Sequence, residues 1–168
     1  MDIQFRRRVL AMAVATASAL GTMSSYAAGP PGALASGIVA CPYTPQELTA
    51  AIGIAVGAGR RLPSPSGSPQ QSCTYDQGPV DGLQVRVNTT WLEPGSAVAS
   101  RTMLLGMLAG QIQMLPGDPG GGRFQNQSEL GTYALHYWRG NLLYEVRLLT
   151  FKGGAVAAKA KLLSLRRL

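Results

Sequence analysis

The chain has 168 residues, a formal net charge of +7, one histidine and two cysteines. That length fits one domain. A single histidine and two cysteines exclude metal centres built from several imidazole or thiolate ligands.

Arg6, Arg7 and Arg8 form a basic start, followed by 12 uncharged, alanine-rich residues from Val9 to Leu20. A bilayer span needs about 20 apolar residues, so this stretch is too short to cross one. It fits the apolar region of a secretory signal. Ser25-Tyr26-Ala27 then supplies small residues before Ala28, and residues 1–27 read as a signal peptide. A Sec-type signal fits best. The adjacent arginines also loosely resemble a twin-arginine signal. Either route leads to a periplasmic or secreted protein with no transmembrane span. After cleavage Lys+Arg falls from 15 to 12 and Asp+Glu from 8 to 7, leaving +5. In the mature part no run of basic residues exceeds two and none alternates with aromatics, so a nucleic-acid partner is not expected.

Residues 28–40 are rich in glycine, proline and alanine and read as a flexible leader. Residues 41–168 make up the expected single α+β domain. Cys41 and Cys73 lie 32 positions apart. In an oxidising compartment they most simply form one disulfide. The competing reading is lipid anchoring at Cys41, through Ile38-Val39-Ala40-Cys41.

Thr44-Pro45-Gln46-Glu47 carries a helix start: an N-cap, proline at the first helical position and a capping box. The helix is expected to run to about Ile52 and end at Gly53. Gly57–Gln70 reads as a loop, Gln71–Tyr75 as a short strand, and Leu83–Trp91 as an alternating strand. In that strand Leu83, Val85, Val87, Thr89 and Trp91 face one way, and Gln84, Arg86, Asn88 and Thr90 face the other, as in a half-buried strand. A second helix is expected from Ser96 to around Gln113, with Met103, Met107 and Met114 filling core. Leu115–Arg123 reads as loop. Gly131–Trp138 and Leu142–Phe151 form a hairpin around Gly140-Asn141. Its register sets Tyr137 against Tyr144, Leu135 against Val146 and Tyr133 against Leu148 on the buried face. A final helix starts near Gly154. The fold class is therefore α+β, an antiparallel sheet with helices packed on one face and one disulfide.

The other hairpin face holds His136, Trp138, Leu143, Glu145 and Arg147, with Phe151 at its end. Left uncovered, this aromatic and basic patch is a candidate binding surface; under a helix it becomes a second core layer. His136 opposite Glu145 reads as a cross-strand pair, and a serine from a loop would convert the pair to a triad-like set. There is no nucleophile elbow, phosphate loop or dinucleotide fingerprint. No catalytic, cofactor-binding or metal residue is assigned, and no cofactor is expected.

Ala40-Cys41-Pro42-Tyr43-Thr44-Pro45-Gln46-Glu47-Leu48 with Gly53, Ser72-Cys73-Thr74-Tyr75, Leu130-Gly131-Thr132-Tyr133-Ala134 and the Ala/Lys/Leu-rich C-terminus resemble, in that order, the DUF3558-like family of small exported and lipoprotein domains. The resemblance implies an α+β fold similar to Mog1/PsbP-like domains and implies no enzyme activity. The expected function is an exported, non-catalytic binding or accessory domain for a protein, an envelope component or a small apolar ligand. The alternative is an inhibitor or immunity-type protein acting through Arg60-Arg61 or the Pro116–Arg123 loop.

Overall fold

The computed structural model describes residues 41–166, except 66, 79–81, 97–98, 100–101, 104–105, 109 and 119. Residues 1–27 and 28–40, read above as signal peptide and leader, lie outside the described residues. Helix α1 spans Pro45–Ile52 and helix α2 spans Gly154–Ser164. Between them run β1 (Arg60–Arg61), β2 (Gln70–Asp76), β3 (Gln84–Trp91), β4 (Gln111–Met114), β5 (Arg123–Gln127), β6 (Thr132–Arg139) and β7 (Leu142–Leu149). All pairings are antiparallel, in the order β1-β2-β3-β7-β6-β5-β4. The expected α+β class with one disulfide holds.

α1 forms where the sequence placed it. The Thr44 side chain accepts from the Glu47 N–H, and the Glu47 carboxylate accepts from the Thr44 N–H at 2.6 Å. Gly53 ends the helix with φ +73°, a left-handed conformation that glycine adopts without a steric penalty. Leu48 and Ile52 are fully buried, each burial stabilising by about 1.5–3 kcal/mol.

The helices cover one sheet face. Val87, Val146, Leu135 and Phe124 form one cross-strand row of that core, joined by Leu48, Ile52, Ala158 and Leu162 from the helices. Cys41 and Cys73 are joined by a disulfide that ties the approach to α1 onto β2. Gly59 passes directly over this bridge, where a Cβ would come within 2.9 Å of Cys73 Sγ. A tyrosine network locks the same region. Tyr43 and Tyr75 exchange hydrogen bonds, and the Tyr43 hydroxyl donates to the Leu165 carbonyl at 2.7 Å while meeting the Tyr137 hydroxyl at 2.8 Å.

Three expectations are corrected. The helix read from Ser96 to Gln113 stops short: residues 102–103 and 106 are helical, but Gln111–Met114 is the edge strand β4. Met103, Met107 and Met114 are exposed at 62%, 73% and 57%, so they do not fill core. Phe151 belongs to the helix-covered core, edge-on to Tyr133, because the chain leaves the β7 ladder after Leu149. Two strands went unread: the two-residue β1, inside the presumed Gly57–Gln70 loop, and β5, which begins at the end of the Leu115–Arg123 loop in a stretch given no element and pairs with β6 along its length.

Candidate functional site

The sheet's second face carries the site. Alternation along each strand sends every other side chain to this side, and the register lines them up in rows. One row runs Asn88, Glu145, His136, Arg123, and the next runs Thr90, Leu143, Trp138. On the opposite flank of the first row lie Arg86, Arg147, Ala134 and Gln125.

The five residues predicted as a patch converge. His136, Trp138, Leu143, Glu145 and Arg147 all line one cavity of about 250 Å³, together with Gln70, Asn88, Thr90, Met107 and Leu108. The patch is not a flat exposed surface. Trp138 and His136 are 3% and 5% exposed, and Leu92 packs with Trp138 and Leu143 into a small second cluster. Met107 and Leu108 complete the lining.

Polar partners are well defined. The imidazole Nε2 of His136 meets Gln125 Oε1 at 3.0 Å. Glu145 accepts from Asn88 Nδ2 at 2.6 Å through Oε2, and from Arg147 Nη2 through Oε1. Burial pushes the His136 pKa below its ordinary 6.5, and the Arg147 charge adds to this against the opposing pull of Glu145. Burial also pushes the Glu145 carboxyl up. The Arg147 guanidinium, the Asn88 hydrogen bond and His136 together outweigh it and hold the pKa below 4.5. At neutral pH the site thus holds an uncharged imidazole beside an ion-paired carboxylate.

The register sets His136 opposite Glu145, as the hairpin turn predicted. No serine or cysteine lies among the described lining residues; Thr90 supplies the hydroxyl nearest in kind. Sequence reasoning missed Asn88, Thr90 and Gln70. Their signal was present, since Asn88 and Thr90 sit on the polar side of the alternating strand. What was lacking was the pairing of β3 with β7, which joins strands far apart in the chain.

The two features of the inhibitor alternative lie apart from this cavity's lining. Arg60-Arg61 is the edge strand β1, with Arg60 paired to Asp76. The Pro116–Arg123 loop is pinned by Asp118, whose side chain is 1% exposed and accepts from the Gly120 N–H and from Arg166 Nη1. Among the described residues, no helix is long and apolar enough to cross a membrane.

No family model and no curated protein matches this chain. Among solved structures, the crystal structure of a GTP binding regulator from Thermotoga maritima is similar over 73% of this chain and 87% of that one, at 14% identity and a TM-score of 0.39.

Proposed function

We propose that this chain is an exported, non-catalytic binding domain that takes a small, largely apolar ligand into the cavity on the second sheet face. The observation that carries the reading is the cavity itself: Trp138, Leu143 and Leu108 form an apolar wall facing the polar row Asn88–Glu145–His136. Few, fixed polar groups in a mostly apolar concavity are the usual composition of a small-molecule site. The volume of about 250 Å³ lies below the usual range of roughly 300–1,000 Å³, which favours a small ligand over a drug-sized one. Export is supported by the signal-like N-terminus and by the Cys41–Cys73 disulfide. The ordered motifs quoted above support membership of the DUF3558-like group.

Calorimetric titration of the mature protein with two bicyclic probes, 2-naphthamide and 2-naphthoate, tests the reading. One-to-one binding of either probe, abolished in Leu143→Trp, is the expected result. Leu143 is 8% exposed on the cavity wall, and the larger ring fills the space while keeping the wall apolar. Binding of neither probe, or binding that Leu143→Trp leaves unchanged, contradicts it.

A further inference from the structure

His136 is the chain's one histidine, and its side chain lines the cavity. Its Nε2 is turned to Gln125, which is not part of the lining, and meets Oε1 at 3.0 Å. An amide oxygen only accepts, so Nε2 carries the ring proton and Nδ1 keeps a lone pair. Burial holds the imidazole uncharged at neutral pH, so no second proton occupies that pair. No described residue bonds to Nδ1, yet Nδ1 is not among the sealed side-chain atoms that lack a partner. The nitrogen therefore keeps open surface on a side chain that is otherwise enclosed, and the space this side chain lines is the cavity.

The charged neighbours in the lining are occupied with one another. Glu145 has only acceptor oxygens, and they are engaged by Asn88 and Arg147. Nδ1 is left as an acceptor beside the apolar wall of Trp138 and Leu143, and a ligand must bring the proton. A hydroxyl suits this place better than an ammonium group, because the Arg147 guanidinium in the same lining repels a second cation. A hydroxyl oxygen also accepts, so it can use the donors that Thr90 and Asn88 bring to the lining.

We infer that the ligand of this cavity is a neutral apolar ring bearing a hydroxyl: the hydroxyl donates to His136 Nδ1, and the ring rests against Trp138 and Leu143. The inference deepens the binding reading above and rests on it. Leaving a buried acceptor unmet costs more than the bond itself contributes, so a ligand of the same shape without the proton is discriminated against.

The single histidine makes the test direct, since one imidazole gives one pair of nitrogen resonances without assignment. Nitrogen-15 spectra of the mature protein at pH 7.5 are expected to show the proton on Nε2. Adding 2-naphthol should shift the Nδ1 resonance. Adding 2-methylnaphthalene, in which a methyl group of similar size replaces the hydroxyl, should leave it in place. In titrations 2-naphthol is expected to bind about tenfold more tightly than 2-methylnaphthalene, and His136→Phe should remove that preference. A proton found on Nδ1, or 2-naphthol bound without moving the Nδ1 resonance, overturns the inference; neither reading depends on a variant that folds. Equal affinity of the two compounds, both lost in Leu143→Trp, overturns the hydroxyl inference and leaves the cavity reading standing. Binding of neither compound overturns it too, and the cavity reading falls with it when 2-naphthamide and 2-naphthoate also fail to bind.

Discussion

His136 is nearly enclosed, with its Nε2 tied to Gln125 and its strand neighbour Glu145 held by Asn88 and Arg147. Unfolded, the imidazole titrates near 6.5; folded, burial lowers that value. Between the two values the unfolded chain binds more protons, so stability is complete above pH 6.5 and falls as pH drops below it. Glu145 acts in the same direction further down. Its folded pKa lies below 4.5, so its contribution is present above 4.5 and is lost as pH falls through the folded value. Thermal unfolding followed between pH 7 and pH 5 should therefore show a declining midpoint, and His136→Gln should flatten the decline in that window. Each kcal/mol of destabilisation moves the midpoint of a domain this size by roughly 4–6 °C, within reach of calorimetry. An identical decline in both proteins would show that His136 does not couple to folding. The same residue marks how the site was legible: a lone histidine opposite a glutamate follows from one turn dipeptide, Gly140-Asn141, and strict alternation. Its burial was not legible, because its polar partner Gln125 comes from β5, a strand the sequence did not announce.

Among the elements, those with a local chemical cause were read correctly. α1 carries its own start and stop in Thr44, Pro45, Glu47 and Gly53, and the β6–β7 hairpin carries its register in the turn. β5 was missed because Arg123–Gln127 holds one apolar residue, Phe124, and so shows no alternation. β4 was absorbed into a helix because the apolar residues Met103, Leu104, Leu105, Met107, Leu108 and Ile112 extend up to it at helix-like spacing, while the strand's own Ile112 and Met114 stay exposed. Both misreadings arise where tertiary pairing overrides weak local preference. The disulfide is the element-scale link between α1 and the sheet. Closing a loop with a separation of 32 residues contributes about 3–4 kcal/mol in the chain-entropy account. Intact mass of the protein expressed from its full-length sequence, measured before and after reduction, tests the proposed export and the covalent state. The expected product begins near Ala28 and is two hydrogens lighter before reduction. A product beginning at Cys41 with added acyl mass would contradict the soluble, disulfide-bonded form.

At the scale of the whole molecule, the sheet has two unlike faces. One is sealed by α1 and α2 over a continuous core; the other carries a second, smaller apolar cluster beside a polar row and a cavity. The α+β class and the helix-covered face were legible from periodicity. The central join, β3 beside β7, was not, because it links positions as far apart in the chain as Asn88 and Glu145, 57 residues, and that join assembles Asn88, Thr90 and Arg86 with the hairpin residues. The account turns on this second face being where ligand binds. The most direct measurement is a set of amide and indole NMR spectra of the mature protein titrated with 2-naphthoate. Trp138 faces the cavity, whereas Trp91 lies on the opposite side of the sheet by alternation along β3 and β7, so the two indole signals serve as site and control. Saturable shifts at Trp138, Asn88, Leu143 and Glu145, with Trp91 and α1 unmoved, are the predicted result. Shifts confined to the helix-covered face or to the β4 edge, or none at saturating probe, would contradict the account.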